Sequence, residues 1–359
     1  MSTVFEHETL RQRVLFGAGQ ASRHLTAEVA RLGATRVMVI AAQSDMERAR
    51  TIVTGIDVAL WHDDVVMHVP IEKAVAARTA ATEAGIDLLV SVGGGSTTGL
   101  TKAIALTTGI PIIALPTTYA GSEATNVWGL TENSRKTTGV DDRVLPATVI
   151  YDVELTLSLP VGLSVASGLN GLAHCVDSMW GPRADPINAA LAAEGIRAIA
   201  TGLPTAVADP QGLAQGLDGR EQTLYGAYLA AVAFASAGSG LHHKICHVLG
   251  GAYDLPHAQT HATVLPYVLA FNAPYAPDAS RRIAQALGAD DAVRGLSDLY
   301  TTLDAPRALK DYGFAREHIL QAADLILPAV PPSNPRTVCR QSLVELLRAA
   351  WTGAPPEHL

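Results

Sequence analysis

Four short, nearly unbroken apolar runs lie in the first 151 residues: Arg36–Ala41, Ile86–Val92, Pro111–Leu115 and Ala147–Tyr151. A strand with one wet face alternates apolar and polar side chains. A run this continuous belongs to a strand covered on both faces, as in a parallel sheet. Helical stretches separate the runs, Glu72–Ala84 being the clearest. The first part is therefore expected to be α/β, a parallel sheet flanked by helices.

Beyond Leu159-Pro160 the strand signals stop. Helices are expected at Leu163–Trp180, Pro186–Ala200, Leu213–Ala237, Leu241–Gly250, Ala279–Leu287 and Ser342–Trp351, punctuated by Pro and Gly. A chain of 359 residues is long for a single core. Two domains follow, an α/β domain over 1–157 and an all-helical domain over 158–359, with a ligand expected in a cleft between them. Aromatic residues are only 5% of the chain. Close packing through Ala and Gly is expected to take their place.

The net charge of −8 argues against a general nucleic-acid binder, which needs a basic face. It leaves room for a local cationic pocket. Cys175, Cys246 and Cys339 contain no CxxC pair, and the odd count fits a reducing compartment. The opening MSTVFEHETLRQRVLF lacks the basic start and apolar core of a signal peptide, so a cytoplasmic location is expected. Leu224–Leu241 is eighteen uncharged residues, long enough to suggest a membrane span. Six of them are alanine and three glycine, so a buried core helix is expected and no membrane partner.

The run at 86–92 leads directly into Gly93-Gly94-Gly95-Ser96-Thr97-Thr98 and then a helix. Glycine lets the backbone approach a ligand closely, and the N–H groups opening the helix favour an anion. The pattern is neither GxGxxG nor a P-loop. A second loop, Pro116–Thr125, follows the next run and carries hydroxyls suited to phosphate and ribose oxygens. Two such loops at the carboxyl edge of a parallel sheet point to a dinucleotide. The run at 36–41 ends in Ala41-Ala42-Gln43-Ser44, with no acid to repel a 2′-phosphate, so NADH or NADPH is expected.

Four histidines, His242, His243, His247 and His257, fall within the seventeen residues Leu241–His257. His243 and His247 are four apart and share a helix face, while His242 is expected to point elsewhere. His257 follows Gly250-Gly251 and Pro256 and is expected on a turn. Asn170 and His174 repeat the spacing of four on an earlier helix. If the helices face each other, Asn170, His174, His243 and His257 converge.

Gly-Gly-Gly-Ser after a strand, PTTYAGSEAT and HHKICHVLGGAYDLPHAQTHATVLP together resemble the iron-containing (group III) alcohol dehydrogenase family. Pro116–Gly139 is similar to its maleylacetate reductase branch, and Asn334-Pro335-Arg336 through Trp351 fits the same branch. The resemblance runs colinearly over nearly the whole chain. It implies a dehydroquinate synthase-like architecture, with an NAD(P)-binding α/β domain and a helical substrate domain, in a homodimer. It also implies reduction of maleylacetate to 3-oxoadipate in aromatic-compound degradation. Carried onto this chain, it puts Gly94, Gly95 and Ser96 on the pyrophosphate, Thr117, Thr118 and Ser122 facing the cofactor, and Lys136 on the cofactor side.

His174, His243 and His257 match three ligand positions of metal-binding relatives, and Asn170 stands where those relatives carry aspartate. An amide has no charge, so the degenerate site Asn170, His174, His243, His257 is expected to work without a tightly bound metal. The substrate that the resemblance implies is a small dicarboxylate whose C=C is conjugated to a ketone. Hydride added β to the ketone leaves an enolate, which imidazoles stabilise and protonate. His243 and His247 lead for these roles, with His257 and His174 behind them. Lys244, Arg336 and His174 are candidates for the carboxylates, and Asn170 and Tyr119 for further substrate contacts. The alternative reading is a metal-dependent alcohol or glycerol dehydrogenase of the same family.

Overall fold

The computed structural model describes residues 4–132 and 135–356, with the side chains of 135 and 136 excepted. Two compact units result. Leu10–Leu159 forms one; everything from Pro160, joined by the N-terminal segment through Thr9, forms the other. That segment, placed with the sheet by the sequence reading, is pinned to the helices by His7 Nδ1, 2.8 Å from Asp185.

The α/β unit runs β1 (Arg13–Phe16), α1 (Ala21–Leu32), β2 (Val37–Ile40), α2 (Met46–Ile52), β3 (Val58–His62), α3 (Ile71–Glu83), β4 (Leu88–Gly93), α4 (Gly95–Thr108), β5 (Ile112–Pro116), β6 (Val127–Glu132), β7 (Arg135–Val140) and β8 (Thr148–Tyr151). Six strands make one sheet in the order β1-β8-β5-β4-β2-β3, every pair parallel. The apolar runs lie in it because they are wanted on both faces. Val37, Val39, Leu88, Val90 and Ile113 pack against α1 and α2. Met38, Ile40, Leu89 and Ile112 alternate to the other side, against α3 and α4. β1 and β3 are the edges of this sheet, and their apolar runs, Val14–Phe16 and Val58–Trp61, are shorter. β6 and β7 form a separate antiparallel hairpin.

The other unit is helical: α5 (Val161–Ser178), α6 (Pro186–Ala208), α7 (Gly216–Ala237), α8 (Leu241–Tyr253), α9 (His257–Asn272), α10 (Pro277–Ala286), α11 (Ala292–Thr302), α12 (Ile319–Ile326) and α13 (Arg340–Thr352). α5 is buried from Ser164 to Ser178. Small residues do bring the helices together: a Cβ on Gly202 of α6 would stand 2.5 Å from the Gly219 carbonyl of α7. The uncharged stretch Leu224–Leu241 is broken at 238–240, where α7 ends and α8 leaves at 98° to it. Among the described residues no single helix is long and apolar enough to cross a membrane.

Candidate active site

In the α/β unit the triple glycine does what a strand-to-helix turn at a phosphate must do. Gly93 ends β4 at φ +154, and α4 begins at Gly95 with no side chain capping it. The orphan N–H groups of that first turn thus stand at the carboxyl edge of the sheet. A Cβ on Gly94 would sit 2.9 Å from Cγ2 of Thr118. The second loop is tied to the first directly, since Thr117 N–H donates to the Gly93 carbonyl at 3.2 Å. Gly94, Gly95, Ser96, Thr117, Thr118 and Ser122 are thereby brought to two adjoining loops. Lys136 lies in β7, paired with Thr131, and its side chain is outside the described residues. Tyr119 has no exposed surface, which puts its ring in the core rather than at a substrate surface.

The helical unit gathers imidazoles. Asn170, His174 and Asp177 fall on one stripe of α5 at steps of four and three. His174 lies against His243, ring centroids 4.8 Å apart, with Phe234 4.2 Å from His243. His247 is one turn further along α8, 5.9 Å from His243. His257 is not on a turn. It is the first residue of α9, and its ring is 4.3 Å from His261, one turn on. Nor does His242 point away: its Nε2 is 3.0 Å from His261 Nδ1. The helix that follows Pro256 so closely folds α9 back onto α8, and that geometry puts both rings in the cluster. His261 lies 4.8 Å from His243 and 6.4 Å from His247.

One carboxylate organises the cluster. Asp177 is wholly buried and accepts from the backbone N–H of Gly240, His242 and His243 at 3.0, 3.3 and 3.2 Å. It caps α8 from another helix, a placement that the N–H groups and the helix dipole favour. Gly240 is required for this approach, because a Cβ there would collide with the Asp177 carboxyl. Asp177 Oδ2 also lies 2.7 Å from His243 Nδ1. A carboxylate only accepts, so Nδ1 donates and Nε2 carries the lone pair. That Nε2, His174 Nδ1, His242 Nδ1, His261 Nε2 and Asn170 Oδ1 are buried atoms with no hydrogen-bond partner.

Burial decides the charges here. It lowers His174 to about 4 and His242 to about 3. Burial, and then the neighbouring imidazoles, drive His243 and His261 well below the usual histidine range. Burial also raises Asp177 to about 7, against the pull of the N–H groups it accepts from. His174, His242, His243 and His261 are thus held toward the neutral form, beside one acid that burial pushes up.

The profile of the iron-containing alcohol dehydrogenases matches residues 11–153, and that of the C-terminal part of the Fe-containing alcohol dehydrogenase family matches 164–351. This chain belongs to the iron-containing alcohol dehydrogenase family. The maleylacetate reductase of Burkholderia cepacia is 45% identical over 355 residues, 98% of this chain and 99% of that protein. The crystal structure of the iron-containing alcohol dehydrogenase from Corynebacterium glutamicum is 63% identical over 100% of both chains, with a TM-score of 0.97. That of the maleylacetate reductase from Rhizobium sp. strain MTP-10005 is 42% identical over 98% of this chain and 99% of its own, with a TM-score of 0.91.

The family's iron invites a test of the donor set. Asn170, His174, His243 and His257 supply one amide and three imidazoles, and no carboxylate. The buried acid beside them, Asp177, is committed to three N–H groups and to His243. Imidazoles suit ferrous iron in type, but this set lacks the anionic oxygen that would offset the ion's charge and so would hold it more weakly. Among the described residues a different trio, His242, His243 and His261, brings ring nitrogens within 4.8 Å of one another. Two of those rings already bond each other.

Of the remaining candidates, Lys244 is half-buried and turned about 100° from His243 around α8. Arg336 is half-buried, its guanidinium 4.1 Å over Phe271 and 5.4 Å from Tyr275. Asn334, whose amide exchanges hydrogen bonds with Asn272 at 2.9 and 3.0 Å, anchors that segment on α9. Asp177, His242 and His261 escape a sequence reading. The first had a visible signal, its place seven residues after Asn170 on the same stripe.

Proposed function

We propose that this chain is a maleylacetate reductase that uses NADH or NADPH and needs no tightly bound metal. The observation that carries the reading is the buried pair Asp177–His243, whose His243 Nε2 is a buried atom without a partner; the neutral amide of Asn170 lies two turns before Asp177 on the same stripe of α5. Full-length likeness to maleylacetate reductases supports the substrate. The two loops of the α/β unit take the dinucleotide. The imidazoles of the helical unit take the dicarboxylate.

The substrate brings two negative charges to neutral rings and raises their proton affinity. A proton taken up at His243 Nε2 is steadied by Asp177 across the ring. Hydride from the nicotinamide adds to the alkene carbon β to the ketone; the C=C pair becomes the new double bond between the α carbon and the ketone carbon, and the C=O pair moves to the oxygen as an enolate. The imidazolium donates to that oxygen. The α carbon then takes the proton, from His243, a neighbouring imidazole or water, and the nicotinamide leaves oxidised. Arg336 and Lys244 are assigned to the carboxylates.

The test is turnover of maleylacetate with each nicotinamide, before and after dialysis against EDTA. Deuterium from [4-²H]NADH should appear only on the carbon β to the ketone. Activity that survives chelation with substoichiometric metal is expected; loss of activity with stoichiometric iron or zinc overturns the metal-free reading. The imidazole trio and the likeness to an iron-containing alcohol dehydrogenase favour a second reading, a metal-dependent dehydrogenase, which the same metal analysis decides. The proposal includes the cytoplasmic homodimer implied by the resemblance, and light scattering checks the stoichiometry.

A further inference from the structure

Lys102 lies on α4, six residues after Ser96, and is 1% exposed. A buried lysine is rare unless its ammonium is fully engaged. Here Nζ donates to the carbonyls of Ser122, Thr125 and Val127 at 2.6, 2.8 and 2.9 Å, with Thr125 Oγ1 at 3.1 Å. Three N–H bonds meet three backbone oxygens of one segment, each bond charge-assisted. That segment is the polar loop after β5, where it turns through a short 3-10 stretch, Ser122–Ala124, and enters β6. A buried loop has no ladder to satisfy its carbonyls, and bare ones are costly. Glu123, itself buried in this loop and held by the Tyr151 hydroxyl at 2.8 Å, adds an acidic partner nearby.

One helix therefore carries the glycine-opened anion site at its first turn and, two turns on, the cation that shapes the neighbouring loop. We propose that Lys102 is a positioning residue for the cofactor: its ammonium sets the loop bearing Thr117, Thr118 and Ser122 against the Gly93–Ser96 turn, and those residues contact the dinucleotide. The inference rests on the reading that the two loops bind nicotinamide dinucleotide.

The experiment compares the full-length protein with Lys102→Met and Thr125→Val. It measures NADH dissociation by fluorescence, KM for NADH and for maleylacetate, and kcat. Lys102→Met is expected to weaken NADH about tenfold, with kcat and the KM for maleylacetate at saturating NADH held within about twofold. Thr125→Val keeps the side-chain shape but removes the Oγ1 acceptor of Lys102 together with its bonds to the Ser122 carbonyl and the Val127 N–H, and should weaken NADH about two- to threefold. Unchanged NADH affinity in Lys102→Met overturns the role, as does an equal loss in all three constants, which a merely damaged fold would give. If Lys102→Met does not fold by circular dichroism, unchanged NADH affinity in Thr125→Val overturns it instead. An unsubstituted protein that binds neither NADH nor NADPH fails the cofactor reading, and the role of Lys102 with it.

Discussion

In the α/β unit the buried ammonium of Lys102 has four acceptors within 3.1 Å, whereas in the helical unit His174, His242, His243 and His261 each keep a buried nitrogen without a partner. An unpaired buried polar atom costs about 1–3 kcal/mol. Four of them in one cluster of rings, with Asn170 Oδ1 a fifth on α5, are tolerable where a ligand completes them. The loops show the opposite economy: their own carbonyls are satisfied internally, and the N–H groups of the α4 start are what remains. One region is finished before its ligand arrives and offers a shape; the other is unfinished and offers chemistry. Substitutions should separate affinity from turnover accordingly.

The largest separation is expected for His243→Ala. Turnover of maleylacetate should fall about a thousandfold, about 4 kcal/mol of transition-state stabilisation, with NADH dissociation within twofold. NADH binding that weakens as much as turnover would erase the division between the regions.

Asp177→Asn should cost about a hundredfold, because an amide that donates no longer holds Nδ1–H of His243. It also predicts opposed pH trends. The Asp177 carboxyl is raised by burial to about 7 from 3.8, so between about pH 4 and 7 the folded protein holds a proton that the unfolded chain has lost. Stability contributed by this group therefore falls as pH rises across that window and is lost above it. Activity rises through the same window, because the ionised carboxylate is the form that orients the ring. Asparagine has no such proton, so Tm of the unsubstituted protein relative to the variant should decline from pH 5 to 7 as kcat/KM of the unsubstituted protein climbs. Parallel trends would detach Asp177 from the reaction.

Asn170→Asp sharpens the comparison from the metal side. It returns an anionic oxygen to three imidazoles and should raise affinity for iron or zinc about tenfold or more, read as metal per chain after dialysis. Equal metal content in both proteins would show that the amide is not what weakens the site.

What the sequence disclosed follows the same division. β2, β4, β5 and β8 were legible because strands buried on both faces must be apolar throughout. β1 and β3, at the sheet edges and partly exposed, carry only the short apolar runs Val14–Phe16 and Val58–Trp61, and the β6–β7 hairpin mixes apolar and polar residues without a continuous run. Asn170 and His174 were legible through their spacing. Asp177 was written on the same stripe, but an acid in a helix ordinarily faces water, and nothing local reveals that α8 begins on top of it. His242 and His261 meet only because α9 turns back along α8, a contact that spacing within one helix does not contain. Lys102 follows the glycine-opened turn by two helical turns, but a lysine at that place in the sequence does not reveal the loop it holds.

The smallest effect belongs to Gly94→Ala. The new Cβ would lie 2.9 Å from Cγ2 of Thr118, closer than real Cβ contacts come. Gly94 has ordinary negative φ, −84°, so alanine brings no backbone strain and only the contact counts. The methyl of Thr118 can rotate away, but the hydroxyl that the proposal turns toward the cofactor then moves with it. KM for NADH should rise about three- to fivefold, with kcat and the KM for maleylacetate unchanged, since none of the imidazoles is touched. Lys102→Met combined with Gly94→Ala should then weaken NADH by less than the product of the two single effects, because both act through the seating of one loop. Full additivity, measured as a double-mutant cycle on NADH dissociation, would mean that the two loops bind their ligand independently and that the α/β half of the site is not the pre-set unit its hydrogen bonds describe.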